Sequence, residues 1–462
     1  MELRSVDSID ILDSLCSSIR IDLKGLEVVR ILPRKNELVN EDWITDVARY
    51  SFDGLSKQRL SFPLLYNLVT SSFIKKSWAH FFNSFLSSYL SLSHFFDYSS
   101  SLLAIGSTID LYSMYVLSLL SQRINRPIYD SSISHYFVDK TFRSTYLIGH
   151  DGLKKIEQHT SFLLFQLDLD NAFPLVSTRI RKALQSNTNI QVLYIGKNRS
   201  SLDDLTHLGL STNSAIRLLR GKQVYSYSLL SQQTSFLSTF NNSFSALINI
   251  FNQSVPYSSI SYSSMLSRVS DIHLCELGIS NNINFVTEKI IPTFIYALDS
   301  STFSYNYSDI PFFYISQSTH ASLHQSIKRE LLTIDQTIWH LPVCSSFEES
   351  SPYMNLLGLI QWTKKALDRY GFSQTHNYII FNLLILLNGD SNELQTHILY
   401  AFFIERTPQI QSSVGCFFSF NSSSVRETTY FLKPQKQLPI YADYSLTLQR
   451  INSFKLNRIN EC

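Results

Sequence analysis

Paired cysteines are missing from this 462-residue chain. Its five cysteines, Cys16, Cys275, Cys344, Cys416 and Cys462, are odd in number, widely scattered and never arranged as C-x-x-C. Neither a disulfide framework nor a zinc or iron–sulfur site of ordinary ligand spacing is supported. Glycine is scarce as well, with 13 residues and no G-x-G-x-x-G or G-x-x-x-x-G-K stretch. The Gly-rich turns that let backbone N–H groups approach phosphates are therefore absent. Charged residues make up only 16% and the net charge is +2, which excludes a global basic field for nucleic acid. The local run Arg179, Arg181 and Lys182 reads as the exposed face of a helix. A long uninterrupted apolar run is also lacking. Ser77 to Phe96 has the length to span a bilayer but carries His80, Asn83, His94 and several serines, and Tyr378 to Leu387 is too short, so no transmembrane helix is expected. The start, MELRSVDSID, has acids and no Arg-rich amphipathic character, so neither a signal peptide nor a mitochondrial transit peptide is expected.

Aromatic residues are abundant, with 32 Phe and 25 Tyr, alongside much serine and asparagine. Such a bias fits an AT-rich genome, for example an organellar one. The length corresponds to roughly three domain-sized units. Charge is concentrated between Lys24 and Pro63. There Arg30, Arg34, Arg49 and Arg59 alternate with Glu27, Glu37, Glu41, Asp42, Asp46 and Asp53 around the apolar pair Trp43 and Ile44. Pro33, Gly25 and Gly54 punctuate this segment into short strands and turns, with at most one helical turn after Asn40. Alternation this dense fits charges that pair with one another or with a partner, which makes Arg30, Arg34, Trp43, Arg49 and Arg59 candidate docking residues.

Gly25-x-Glu27-Val28-x-Arg30-Ile31-Leu32-Pro33-Arg34, Asn40-Glu41-x-Trp43-Ile44-Thr45-Asp46 and Asp53-Gly54-Leu55-x-x-Gln58-Arg59-Leu60 resemble, in order and spacing, the large iron–sulfur subunit of respiratory complex I. The likeness lies where that subunit's iron–sulfur half gives way to its molybdopterin-oxidoreductase-like half. Phe142-Arg143-Ser144, Arg179 to Lys182, His207-Leu208-Gly209, Trp339 to Pro342, Phe347 to Ser350 and Tyr353-Met354-Asn355 continue it. In related molybdenum enzymes four cysteines near the start hold one [4Fe–4S] cluster. The resemblance puts those positions on Asp10, Asp13, Ser17 and Thr45, with Cys16 one residue out of register. The family's Glu-Gly-Arg after the Asn is replaced here by Leu357-Gly358-Leu359.

The resemblance implies an α/β chain with a degenerate molybdopterin-oxidoreductase-like fold. A small β-rich segment at 1–63 is followed by doubly wound α/β domains at 64–222 and 223–406, then a tail at 407–462. Periodicity agrees in several places. Trp78, Phe81, Phe82, Phe85, Leu86 and Tyr89 form one helical stripe. Leu102 to Ile105 reads as a buried strand, followed by a helix capped by Ser107 or Thr108 and carrying Leu111, Met114, Tyr115 and Leu119. Ser161 to Leu167, a loop from Asp168 to Pro174, a helix from Val176 to Leu184 and Ile190 to Ile195 make a βαβ unit. A helix near Ser245 to Phe251, strands at Pro292 to Leu298 and Pro311 to Ser316, and an apolar helix from Tyr378 stopped by Gly389 complete the pattern.

Two constellations invite a chemical reading. Asp168 and Asp170 follow a strand, where ligands bind in α/β sheets, yet no third ligand or nucleophile accompanies them. His320 and His324, four apart, would share a helix face as metal ligands do, but no carboxylate stands at a suitable offset. No catalytic, cofactor-binding or metal residue is expected in this chain. The resemblance implies a structural lobe of the complex I peripheral arm, on the matrix side of the mitochondrial inner membrane. Fe–S clusters and FMN are expected in partner chains, including the iron–sulfur half of the same subunit as a separate polypeptide. A molybdenum or tungsten oxidoreductase and a free-standing scaffold or binding module remain the alternatives.

Overall fold

The structure is a computed structural model. It describes residues 3–56, 59–67, 72–92, 103–105, 108–124, 128–130, 146–148, 152–159, 161–165, 167, 169–187, 189–196, 205–210, 214, 217, 234–239, 260–278, 294–296, 312–316 and 338–388. Asp168, His320, His324 and the helix expected near Ser245 lie outside these residues.

The chain opens with three antiparallel strands, β1 (Arg4–Ile9), β2 (Ser18–Lys24) and β3 (Glu27–Pro33), in that spatial order. Ile19, Ile21 and Leu23 alternate along β2 and are buried with Ile31, Ile44 and Ala48 in a small core of their own. The β2–β3 loop has two residues, and its first, Gly25, takes φ +65°, a value that only glycine adopts without steric cost. A short helix α1 (Asp46–Tyr50) and a 3-10 turn (Ser51–Ser56) follow, so the helical turn expected after Asn40 is longer and starts later. Thr45 caps α1, its hydroxyl accepting the Ala48 amide at 3.1 Å.

Next come the hairpin β4 (Leu64–Asn67) and β5 (Ser72–Lys75), then α2 (Trp78–Leu92), whose Phe81 and Phe85 are buried. Strand β6 (Leu103–Ile105) leads into α3 (Leu111–Ile124) and β7 (Ile128–Asp130). Asp110 caps α3, its Oδ2 accepting the Ser113 amide at 3.0 Å, in place of the expected Thr108, while the other expected cap, Ser107, lies outside the described residues. After α4 (Gly152–Gln158), the expected βαβ unit appears as β8 (Ser161–Phe165), α5 (Leu169–Ala172), α6 (Pro174–Ser186) and β9 (Gln191–Ile195). Pro174 opens α6, where its missing N–H costs nothing. Then follow β10 (Leu205–Gly209), β11 (Thr234–Thr239), β12 (Ile260–Met265) and α7 (Val269–Glu276). The last described elements are β13 (Phe294–Tyr296), β14 (Phe312–Ser316), β15 (Ile338–Pro342), β16 (Pro352–Met354), β17 (Ile360–Trp362) and α8 (His376–Asn388).

Five parallel strands run in the order β10-β9-β8-β11-β12, and every residue of β8 is buried, as strands covered on both faces are. A second parallel sheet runs β13-β6-β7. Both sheets join residues from before and after position 222, so a domain boundary there would pass through hydrogen-bonded sheets. A third, mixed sheet is ordered β14-β15-β4-β5. One continuous core contains α3, α6, β8, β9, Trp339 and α8.

Candidate functional site

The order of the β13-β6-β7 sheet places β6 in the middle, with the chain moving to β7 on one side and returning as β13 on the other. The carboxyl end of β6 is therefore a topological switch point, the place where doubly wound sheets hold ligands. Here it is filled by the chain's own side chains. The Tyr353 hydroxyl donates to the Thr108 carbonyl at 3.1 Å. The Met354 amide donates to His273 Nε2 at 3.0 Å, so Nε2 is the acceptor and Nδ1 carries the proton, directed at the Ile109 carbonyl 3.2 Å away. His273 is fully buried on α7 and is thereby fixed as one neutral tautomer.

Asn355 organises the turn that follows. Its Oδ1 accepts the amides of Leu357 (3.1 Å) and Leu359 (2.9 Å), and its Nδ2 donates to the Leu15 carbonyl (3.1 Å). The Leu356 amide donates to the Ser14 carbonyl at 2.9 Å. The 353–359 turn thus bonds the loop after β6, helix α7 and the β1–β2 loop at once. Leu356 and Leu357 are buried, and Gly358 takes φ +81° within the turn.

The β1–β2 loop gathers three of the positions singled out in the sequence. Asp13 Oδ2 accepts the Ser17 hydroxyl at 2.6 Å, Asp13 Oδ1 the Leu15 amide at 3.1 Å, and Asp10 Oδ1 the Leu12 amide at 3.0 Å. Burial, and then the charge of Asp13, push the Asp10 carboxyl up to about 7, and burial raises Asp13 as well. Cys16 is fully buried at φ 51°, its thiol driven well above the usual range by burial and the two neighbouring carboxyls. Thr45, the fourth position, is committed to its helix cap.

The candidate docking residues divide. Trp43 is 60% exposed while its neighbour Ile44 is buried, and Tyr50 and Leu26 are exposed too. Arg30 Nε pairs with the buried Asp22 at 2.8 Å, and Arg34 reaches Asp7 at 3.4 Å, both arginines staying half-exposed. Arg49 is half-buried on α1. Arg59, grouped in the sequence with the outward residues, turns inward. Its side chain is 3% exposed and pairs with the equally buried Glu348 at 2.8 Å. Arg179 likewise departs from its expected exposure. It is buried between Glu41 and Glu157 and donates to the Glu37 carbonyl at 2.9 Å, while Lys182 on the same helix pairs with both acids from solvent. Asp170 pairs with Arg181 at 3.8 Å, both side chains partly exposed.

Sequence reasoning missed His273, Asp110 and the inward turn of Arg59 and Arg179. A histidine in a short helix that is buried almost all round and an acid before a helix carry no signal of their own. Arg59 to Glu348 spans 289 positions.

Residues 59–291, half of the chain, match the molybdopterin oxidoreductase family. The chain belongs to that family. Within it, the chain is of the complex I large-subunit type, since residues 3–53 match the NADH-ubiquinone oxidoreductase NDSU1/NuoG-like 4Fe-4S domain. The NADH-ubiquinone oxidoreductase 75 kDa subunit of Reclinomonas americana is 26% identical over 84% of this chain and 58% of its own length. The corresponding subunit of Acanthamoeba castellanii is 27% identical over 88% and 59%. The mitochondrial 78 kDa subunit of Candida albicans is 31% identical over 48% and 30%. The chain thus spans less than two thirds of the length of these relatives. Acetylene hydratase from Pelobacter acetylenicus shares the molybdopterin oxidoreductase fold, with a TM-score of 0.52 at 9% identity over 83% of this chain and 69% of its own.

These matches correct the expectation that no cofactor belongs to this chain. Residues 3–53 are a 4Fe-4S domain, so the cluster domain is not confined to partner chains, and a separate polypeptide for the iron–sulfur half finds no support. The donors at the resembling positions nevertheless do not fit a four-thiolate cluster. They are two carboxyls and two hydroxyls, and Cys16 is the one thiol within 3–53. The switch point at β6 likewise does not fit a pterin. Its carbonyls are taken by Tyr353 and His273, and the turn at Leu357-Gly358-Leu359 offers no cation to a phosphate.

Proposed function

We propose that this molybdopterin oxidoreductase-family chain serves as a structural lobe of the NADH:ubiquinone oxidoreductase peripheral arm in mitochondria, on the matrix side of the inner membrane. It supports electron transfer from NADH to ubiquinone along a flavin (FMN) and iron–sulfur clusters carried by the assembled subunits. The observation that carries this reading is the filled switch point at the end of β6. Where doubly wound sheets hold ligands, this chain spends its polar groups on itself, and Tyr353, His273 and Asn355 form a packed joint. A 4Fe-4S cluster, where bound, supplies one-electron transfer. The residues of this chain hold the β1–β2 loop, the 353–359 turn and α7 in fixed relation and keep water from the joint.

The partner surface in this proposal is the outer face of the first 63 residues. Trp43 presents a large apolar ring to solvent, Arg30, Arg34 and Arg49 of the same segment keep part of their side chains at the surface, and Arg59 anchors the segment from inside. Among the described residues no helix is long and apolar enough to cross a membrane, so attachment through other complex I subunits fits. Native purification with mass spectrometry of the partners tests the proposal. Co-purification with flavin-bearing and iron–sulfur complex I subunits is expected, and a solitary chain carrying molybdenum would overturn it. The variant Trp43→Ala with Arg49→Ala is expected to weaken that association, because a buried aromatic with a flanking arginine is the usual energetic centre of an interface. Unchanged assembly of the double variant would remove the docking face from the proposal.

A further inference from the structure

Three stretches of chain meet beside the β4–β5 hairpin: the segment around Phe62, the start of α2 at Trp78, and the loop before α8 that contains Tyr370 and Phe372. The loop is tied down by its backbone. An added Cβ at Gly371 would touch Ser61, the Phe372 amide donates to the Ser61 carbonyl at 2.8 Å, and the Phe372 carbonyl accepts the Trp78 indole N–H at 2.8 Å. Its aromatic side chains nevertheless stay in solvent. Phe372 is 58% and Tyr370 43% exposed, and the Phe372 ring lies 4.8 Å from that of half-buried Phe62. A fixed loop that leaves two large rings in water forgoes the stabilisation their burial would bring, which is the mark of a surface that another molecule covers.

The rim of this aromatic surface is positive. Lys75 Nζ stands 5.0 Å from the centre of the Phe62 ring, the Lys76 amide is bonded to the Pro63 carbonyl at 2.8 Å, and exposed Arg369 precedes Tyr370. Among the described residues none of these three cations lies within ion-pair distance of an acid. The acids nearby are already taken: Glu348 by Arg59, whose guanidinium lies 5.3 Å from the Tyr370 ring centre, and Asp368 by Lys365 at 2.8 Å. We propose that this surface binds an acidic segment of a neighbouring subunit, an apolar side chain of which seats on Phe372 while its carboxylates pair with Lys75, Lys76 and Arg369. The proposal rests on the reading of the chain as a lobe of a larger assembly. Charge complementarity selects the occupant, because free cations beside an aromatic anchor are matched by carboxylates beside an apolar one. A loop already bonded in place also loses little freedom when it is covered. Three cations fall short of the phosphate track that a nucleic acid requires, and of the about four to eight that mark an anionic membrane surface.

The test acetylates lysines in the natively purified assembly and in the isolated full chain, and maps the sites by mass spectrometry. Lys75 and Lys76 are expected to react several-fold more slowly in the assembly. A zero-length carbodiimide is expected to join the Lys75 amine to an Asp or Glu side chain of another subunit. Phe372→Ser, which leaves the backbone bonds of the loop in place, is expected to return Lys75 acetylation in the assembly to the level of the isolated chain. Should that variant not fold, Lys75→Glu takes its place, with the acetylation of Lys76 as the readout. An assembly in which Lys75 reacts as fast as in the isolated chain, or keeps its protection in Phe372→Ser, would overturn the proposal and leave the structural role of the chain standing. Protection without a carboxyl link, or relieved by nuclease or phospholipase, would assign the surface to another class of occupant and overturn it equally, as would a link only to a second copy of this chain. A chain that purifies without partners would remove the structural role and this proposal with it.

Discussion

Arg59 and Glu348 form an ion pair with both side chains almost fully withdrawn from water. Glu348 also accepts the Ser345 amide at 3.0 Å, so the pair fixes the loop after β15 to the end of the N-terminal segment. Arg59→Met strands the acid in a dry interior and is expected to cost about 3–5 kcal/mol of unfolding free energy. Combining it with Glu348→Leu is expected to recover much of that loss, since the cost is the unpaired charge and not the missing attraction. Chemical denaturation of the two variants checks both. Gly371 shows a backbone constraint at the same scale. It takes φ +58°, and an added Cβ would lie 2.7 Å from the Ser61 carbonyl oxygen. Gly371→Ala is expected to destabilise by more than about 1 kcal/mol, because the left-handed conformation and the close backbone each oppose it. A denaturation midpoint equal to that of the wild type would contradict the close approach.

Helix α6 joins the N-terminal sheet to the α/β body through a ladder of charge. Arg179 bridges Glu41, from the segment after β3, to Glu157 on α4, and Lys182 one turn along repeats the bridge at the surface. The acids line an open groove of about 720 Å³ together with Lys35, Asp42 and Lys154. The two cations differ in burial, and that decides their weight. Arg179→Ala is expected to lower stability on the order of 1–3 kcal/mol and to open the 36–41 segment to protease, since a buried charged donor and its three acceptors are lost together. Lys182→Ala is expected to leave the unfolding midpoint nearly unchanged, because an exposed pair is screened by solvent. Limited proteolysis with a thermal melt distinguishes the two. Sequence periodicity located α6 correctly, and the helix begins and ends within two residues of expectation. It could not assign Arg179 to the inner face, because its acids come from other elements, Glu157 22 positions away on α4 and Glu41 138 positions away after β3.

Across the whole molecule, the response to acid follows from carboxylates held by cations. Asp22 is buried, which by itself raises its pKa, yet hydrogen bonds from Arg30, Ser5 and Arg20 bring it below the usual range. Glu157 behaves in the same way, with Arg179 and Lys182 outweighing its partial burial. For depressed groups the stabilisation is present above the unfolded value and is lost as pH falls through the folded one. Stability is therefore expected to decline below about pH 4. Asp22→Asn should flatten that acid limb in a urea-midpoint profile taken across pH, and a limb unchanged by the variant would place the acid sensitivity elsewhere.

The amino-acid sequence by itself determined the local elements and the lineage. Alternation in β2, the stripe of α2, the βαβ unit around α6 and the order of short motifs all depend on residues near one another in the chain, and short-range geometry suffices to read them. Membership of the cluster domain was not read from the sequence and came only with the family match over residues 3–53, because the residues that define a cluster by type, four thiolates, are not there to be read. The tertiary structure alone decided which charges are inside. Arg59, Arg179 and His273 each acquire their environment from partners on other elements, and burial is a property of the assembled layers. The filling of the β6 switch point is of the same kind. It depends on a tyrosine and a histidine arriving from different parts of the chain onto two adjacent carbonyls, which no spacing within a single segment encodes.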